Sequence, residues 1–417
     1  MKSICFSKLF GLAAVAVCTF LTLACNKEDI PDNEDNQRVD IVLTKSQQAV
    51  MDNGNTFAVN LFKALSEKQE DKNVFVSPLS ASVCFAMLAN GAQGETRSEI
   101  LSALGYGNST MQDVNEYYKL ILPSLLSADK LTTISSANSL WISNVLPILD
   151  SYTSSIKDVF DAELYNVDFC SQSTLPNINS WCAAKTDNMI PSLLASLDPN
   201  SVLVLVNALY FKGIWANKFN KSDNADNYFI CSDATKVKTT FMHQTSEFAS
   251  MVTDEAALCT MPYGNGAYNM FVIMPTRGTK MTDFIDRLTV DRLNEYYASQ
   301  TGHSVCLSFP KFKTEYDTED MLIPVLKQMG MELPFTALAD FSPITSTGDL
   351  SVSEARQKAV INVDEEGTTA AAATYIGMVN SAFGPTETIE ISFDRPFIYI
   401  IRETSTGAIL FMGVKNE

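Results

Sequence analysis

Only two histidines occur in the 417 residues, His243 and His303. Acid–base and triad catalysis lean on histidine, so that count removes most hydrolase schemes at once. No HExxH run offers a zinc site, no G-x-S-x-G elbow exposes a serine, and no P-loop cradles a phosphate. "GNGAYN" from Gly264 has two glycines but neither the third glycine nor the preceding strand of a dinucleotide site, and it reads as a turn. His303 could serve a distant serine as a base, yet no motif directs it there. Both histidines therefore read as structural or surface residues, and the expectation is a chain that is not an enzyme and carries no metal or cofactor.

The stretch that asks for a chemical explanation is "VDEEGTTAAAATYIG", Val363 to Gly377. Acidic residues lead into a glycine, two threonines and four alanines in a row. Alanine is the best helix former, but this segment stands just before the strand-like runs that close the chain. A glycine at 367 frees the backbone to swing. The half that follows has no charge and, up to Tyr375, no large side chain. In a strand, Thr368, Ala370, Ala372, Thr374 and Ile376 would share one face, and Thr369, Ala371, Ala373 and Tyr375 the other.

The elements that must carry this segment are readable. In "TFAVNLFKALSEK", Phe57, Leu61 and Leu65 recur every four residues with Phe62 beside them, one apolar helix face. In "FVSPLSASVCFAMLANG", Ser77 is a natural N-cap and Pro78 takes the first helical position. That helix is apolar nearly all round, hence buried, and Gly91 stops it. "TRSEILSALGY" is a short amphipathic helix. Strands then take over. "SVLVLVNALYFKG" (Ser201 to Gly213) is a β-branched, apolar run suited to a central strand buried on both faces, and "AYNMFVIMP" (Ala267 to Pro275) reads the same way. A helix is expected near Met321 to Met329, with Pro324 in its first turn. The chain closes with "TIEISF", "PFIYIIRE" and "AILFMG", the last two a hairpin turning at "TSTG". Helices first and strands last make an α+β domain.

The composition is globular, 46% hydrophobic and 19% charged. Residues 1–25 stand apart: Lys2 and Lys8 precede the apolar "LFGLAAVAVCTFLTLA", and Cys25 follows Ala24. This is a secretory signal whose end resembles a bacterial lipoprotein cleavage site, with Cys25 the lipidated residue. The acidic "NKEDIPDNEDNQ" reads as flexible, which gives a tether over 26–45 and one domain over 46–417. Its Lys27-Glu28-Asp29 resembles a surface-export tag. Loss of residues 1–25 removes two lysines and no acid, moving the net charge from −18 to −20. No nucleic acid is attracted by such a surface. Six cysteines remain, Cys84, Cys170, Cys182, Cys231, Cys259 and Cys306. None forms a CxxC pair and most lie in apolar runs, where a free thiol behaves as a small hydrophobe, so no structural disulfide is expected.

From about residue 46 to the end the chain resembles a serpin. The resemblance is carried, in order, by "NVFVSPLSASVCFAMLANGAQGETRSEI", by "SVLVLVNALYFKGIWANKF" with Asn207, Phe211, Lys212, Gly213 and Trp215, by "FPKF", "LKQMGM" and "ADFSPIT", and by "FDRPFIYIIRETSTGAILFMGVKN". It implies three β-sheets, eight or nine helices and an exposed reactive-centre loop. The stretch from Glu365, Glu366 and Gly367 through Thr368, Thr369, Ala370, Ala371, Ala372 and Ala373 then matches the hinge of inhibitory members. In that family a protease cuts the loop as substrate, and the loop inserts into the main sheet as an extra strand, a case of β-strand addition and released strain. The protease is carried to the far pole before it can deacylate.

Counting in family spacing puts the reactive bond at Ser381–Ala382, with Val379, Asn380 or Phe383 as alternatives because the loop is long for the family. No basic residue lies between Gly367 and Glu390. Elastase-, chymotrypsin- or subtilisin-like serine proteases are thus the implied partners, with cysteine proteases open and a monomer expected. Ser77, Ser80 and Asn207 match the polar cluster that holds the main sheet shut, and Gln357 stands where the family has histidine. Gln donates and accepts without titrating, so sheet opening is expected to ignore pH near neutrality. The alternative is a non-inhibitory member acting as a binding, carrier or chaperone module. The implied location is an exported lipoprotein at the outer membrane or cell surface, or otherwise a secreted protein.

Overall fold

The computed structural model of the chain describes residues 36–347, 350–368 and 388–417, with the backbone alone at 135–137 and 207–209. Nine α-helices occur among them: α1 (Lys45–Glu67), α2 (Pro78–Asn90), α3 (Gly94–Ala103), α4 (Met111–Ser127), α5 (Asp150–Phe160), α6 (Thr174–Lys185), α7 (Met281–Asp286), α8 (Val290–Ser299) and α9 (Leu322–Gln328). The strands are β1 (Val74–Val76), β2 (Thr132–Ser143), β3 (Glu163–Val167), β4 (Leu203–Ile214), β5 (Ala225–Ile230), β6 (Lys236–Val252), β7 (Ala256–Tyr263), β8 (Tyr268–Pro275), β9 (Thr301–Pro310), β10 (Phe312–Asp317), β11 (Glu354–Arg356), β12 (Lys358–Val363), β13 (Gly367–Thr368), β14 (Thr388–Ser392), β15 (Phe397–Glu403) and β16 (Ile409–Lys415).

Local chemistry accounts for the helix ends. Thr44 and Gln47 form a reciprocal capping box at the start of α1. Ser77 caps α2 by accepting from the Ser80 amide, and Pro78 opens the helix as expected. Eleven of the thirteen α2 residues are buried, which follows from its all-round apolar character.

The main sheet runs β10-β12-β13-β4-β2-β3, with β11 also paired to β4. The second network runs β1-β16-β15-β8-β7-β6-β9-β14, with β5 on β6. The long β6 serves two sheets. Phe241–Lys236 pair with β5, and the ladder to β9 runs through Ser250, while Ala249–Val252 pair with β7. Three sheets result. One large core lies between the main sheet, α1 and α2, and the layer containing β8, β15 and β16. A smaller core forms where Ile178, Trp181 and Cys182 of α6 cover Trp141, Val204 and Val206 on the outer face of the main sheet.

The expected central strand is β4, the run at Ala267–Pro275 is β8, and the helix near Met321 is α9. The closing strands separate: β15 and β16 form the hairpin, but β14 pairs in parallel with β9 instead. Residues 36–45, read as the end of a free tether, are held against the domain; the Asn36 amide reaches Asp129 and the Ile41 amide reaches Ser405, each at 2.9 Å. Cys25 lies outside the described residues. None of the six cysteines of the domain is bridged among the described residues; Cys170 and Cys306 are exposed and the other four buried. No helix among the described residues is long and apolar enough to cross a membrane.

Candidate functional site

The seam of the main sheet between β4 and β12 gathers most of the residues singled out in the sequence. At its upper end the chain turns back on itself: the Asp364 amide donates to Gly367 O at 2.9 Å and the Gly367 amide to Asp364 O at 3.2 Å. Gly367 has φ +153°, and a Cβ there would stand 2.0 Å from the Gly213 carbonyl oxygen. Only glycine tolerates both the angle and the approach. The two residues of β13 then wedge into the sheet, Thr368 opposite Val363 of β12 on one side, Gly367 and Thr368 opposite Ile214 and Gly213 of β4 on the other.

Aromatic and backbone contacts fix the wedge. Trp215 stacks on Tyr263 with centroids 4.4 Å apart, and the Tyr263 hydroxyl meets the Thr368 hydroxyl at 2.5 Å. The Trp215 indole donates to Asp364 O at 2.9 Å. Its amide donates to Glu366 O at 2.9 Å, and the Phe219 amide to Glu365 O at 3.0 Å.

Charge holds the same turn. Glu365 is 2% exposed. Its carboxylate accepts from Lys311 at 2.8 and 3.0 Å and from the Asn224 amide. Burial alone would raise its pKa, but the Lys311 ammonium and the Asn224 amide outweigh that and hold it below the ordinary carboxylate value. Glu366 pairs with Lys218 at 2.8 Å.

Lower down, the seam is closed differently. Glu354–Arg356 of β11 pair in parallel with Val204–Val206 of β4, and α6 covers that section from outside. Gln357 stands at the kink between β11 and β12, 6% exposed. Its side chain accepts from the Ser77 amide at 2.9 Å and donates to Ser77 O at 2.8 Å. Its backbone brackets Thr318, accepting from the Thr318 amide at 2.9 Å and donating to the Thr318 hydroxyl at 2.9 Å. The Ser77 hydroxyl donates to Leu410 O at 2.8 Å and accepts from the Ser80 amide at 3.3 Å. The structure thus brings Ser77, Ser80 and Gln357 together, but Gln357 bonds the backbone of Ser77, and the buried Ser80 hydroxyl has no partner among the described residues. The Asn207 backbone lies opposite Asn138 of β2, and its side chain is not described.

Thr369, Ala370, Ala371, Ala372 and Ala373 of the hinge, and Val379, Asn380, Ser381, Ala382 and Phe383 of the reactive bond, lie outside the described residues. The residues that sequence reasoning missed are Lys218, Asn224, Tyr263, Lys311 and Thr318. Their partners stand 39 to 148 positions away along the chain. Local patterning carries no signal for such pairs, although "FPKF" contains Lys311. His303 Nδ1 meets the Ser250 hydroxyl at 3.1 Å, but Ser250 is fully buried and the other ring nitrogen faces Thr301 at 3.4 Å, so no carboxylate completes a triad. Among the described residues no cluster of three or more His, Cys, Asp or Glu could hold a metal.

The arrangement is a sheet with a slot: closed at the top by a two-residue wedge, at the middle by neutral hydrogen bonds, at the bottom by a short parallel pairing. Iripin-5 of Ixodes ricinus is 33% identical over 370 residues, covering 87% of this chain and 93% of the relative. Corticosteroid-binding globulin of Pongo abelii is 32% identical over 365 residues, covering 86% and 87%. Among solved structures, the thermophilic serpin tengpin in its native state superposes with a TM-score of 0.81 at 28% identity, covering 92% of this chain and 97% of that one. Human thyroxine-binding globulin complexed with its hormone gives a TM-score of 0.81 at 29% identity, covering 88% and 98%. The family model described as "Serpin (serine protease inhibitor)" matches residues 52–416, and the chain belongs to the serpin family.

Proposed function

We propose that this serpin is an inhibitor of serine endopeptidases that acts as a suicide substrate. The observation that carries the reading is β13: Gly367 and Thr368 already form the first rungs of a strand between β4 and β12. A protease serine attacks the carbonyl of the reactive residue, Ser381 in the preferred register, forming an ester and releasing the amine of Ala382. The freed segment extends β13 downward. Fifteen residues at about 3.3 Å each span roughly 50 Å, enough to cross a domain. The added strand bonds on both sides, and each hydrogen bond contributes about 1 kcal/mol net. The segment from Thr368 to Ala373 brings no charge or bulk that would resist burial. Insertion must outrun deacylation, so it has to finish well within about 0.1 s for a typical protease.

The targets are elastase-, chymotrypsin- or subtilisin-like enzymes, with cysteine proteases a further class, and the inhibitor acts as a monomer, without catalysis or cofactor of its own. The test is a covalent band resistant to SDS with a panel of such proteases, plus mass mapping of the cut. A band and a cut within residues 378 to 385 are expected. Cleavage without a band, or cutting elsewhere, overturns the reading.

The signal and Cys25 support an exported, lipid-anchored form at the outer membrane or cell surface, with plain secretion as the other possibility. Intact mass of the amino-terminal peptide decides between them. A carrier role is favoured by one observation: among the described residues Arg402, 9% exposed, has no partner for its Nε, and neither has the Oδ1 of the 2%-exposed Asn269 directly across the strand pair. The Arg402 guanidinium lies 4.0 Å over the Tyr297 ring. Relatives named corticosteroid-binding and thyroxine-binding globulin make a small apolar ligand with a polar head the probe to titrate, by quenching of intrinsic fluorescence.

A further inference from the structure

Three described residues ahead of α1 reach across the molecule. The Asn36 side chain donates to Asp129 Oδ1 at 2.9 Å and accepts from the Lys130 amide at 2.9 Å and from Asn265 at 3.4 Å. Asn265 also donates to Ala128 O at 2.9 Å. Arg38 reaches Gly266 O at 3.3 Å, and the Ile41 amide reaches Ser405 at 2.9 Å. One amide thus stitches the turn before β2 to the turn between β7 and β8.

Those two turns adjoin the mouth of the seam. Asp129, 3% exposed, accepts from the Thr132 hydroxyl at 2.6 Å, and Thr132 is the residue paired with Gly213. A Cβ on Gly264, at φ +42°, would lie 1.9 Å from the Asp129 carboxylate, so the turns are in direct contact. The Gly264 amide donates to Ile214 O at 2.8 Å, and Tyr263 bonds Thr368. The path from Asn36 to the wedge is therefore short: Asn36, Asp129 and Asn265, Gly264 and Tyr263, then Thr368 and Gly367.

We infer that Asn36 is a positioning residue for the hinge: the segment ahead of α1 braces the Tyr263–Gly266 turn against which Gly367 and Thr368 are seated. Asn36 bonds no described residue of the hinge and acts through Asp129 and Asn265. The inference deepens the proposed function, since a looser seat changes how readily the hinge begins to insert. A chain cut between Asn36 and α1 loses this control while keeping its core.

The test is amide exchange on the uncut protein, so it stands whether or not the loop inserts; heat resistance gained on cutting the wild type tests that reading separately. In Asn36→Ala the amides of Gly264, Trp215 and Phe219 are expected to exchange about 5- to 30-fold faster, the factor set by one or two lost hydrogen bonds. Those of α9 are expected to stay unchanged. Asn265→Ala, which also frees the Ala128 carbonyl and the Ala267 amide, should give the same signature, and the double variant less than the sum of the two, because the Asn36–Asn265 contact is lost in both. A rise confined to Lys130–Thr132 overturns the inference, since the brace would then stop at its own turn. An equal rise throughout the protein overturns it too, as plain loss of stability. In the trapping assay, the same variants should shift the ratio of cut to trapped inhibitor relative to wild type.

Discussion

The mouth and the middle of one seam are closed by different chemistry. At the top, Glu365 and Glu366 are held by Lys311 and Lys218, around a glycine with no room for a side chain. At the middle, Gln357 holds Ser77 and Thr318 through neutral hydrogen bonds, flanked by the Arg356–Asp317 ion pair at 2.8 Å. The first closure depends on a buried carboxylate and on steric fit, while the side chain at the centre of the second carries no charge. A seam built this way can be loosened from its mouth while its centre stays shut, which is the order a strand entering from Gly367 requires.

The comparison is broken most severely at Gly367. Gly367→Ala puts a Cβ into the Gly213 carbonyl and should cost about 3 kcal/mol or more through backbone strain and overpacking. Loss of the SDS-resistant band, with the loop still cut, is the expected result; a normal band means the wedge is dispensable.

Gln357→Leu tests the centre. It leaves the Ser77 amide buried and unpaired, at a cost of about 1–3 kcal/mol, while the Ser77 carbonyl keeps its bond from the Ala81 amide. A fall in melting temperature is expected, together with spontaneous, uncut conversion to a heat-resistant form. Chemical denaturation and heating of the uncut protein measure both.

Lys311→Ala tests the charged end. It strands the buried Glu365 carboxylate, but Lys311 is 38% exposed at its side chain, so water offsets part of the loss and about 2 kcal/mol is expected. Glu365→Gln should cost less, because the charge then left without its ion-pair partner, Lys311, is partly exposed to water. A larger loss for Glu365→Gln than for Lys311→Ala would contradict the account of the pair.

The smallest effect is in pH. The folded Glu365 carboxyl lies below its unfolded value of about 4.3, so its stabilisation is present in full above that value. It is lost as pH falls through the lower, folded value, and the mouth of the seam should loosen only under acid. Gln357 contributes no titration. Inhibition rates should therefore be flat between about pH 6 and 7.5, measured with a protease that does not titrate there. A step in that window would show that another group controls the sheet.

Much of this was legible beforehand where the signal is local. Ser77 and Pro78 announce α2, and the β-branched run at Val202–Val206 announces β4, because capping and burial on both faces act over a few neighbouring residues. Of the small, uncharged stretch after Gly367, only Thr368 lies among the described residues, in β13, and the rest stands as an expectation. The polar strand β2, "TTISSANSLWIS", gives no such signal, since its place is set by β4 and β3 on either side. The destination of β14 was equally hidden. A strand of five residues pairs in parallel with whichever edge the fold presents, and here that is β9.

The chain by itself determined its family, the order of its elements, the glycine at the hinge and the neutral residue at 357, since each depends on residue type and near neighbours. Only the tertiary structure decided that Lys311 and Asn224 would neutralise Glu365, that Trp215 and Tyr263 would seat Thr368, and that Asn36 would reach the same pole. Those contacts join positions from 54 to 229 apart along the chain. Residues so distant meet only when burial of the whole core has fixed the sheets, so no short window of sequence can contain the information.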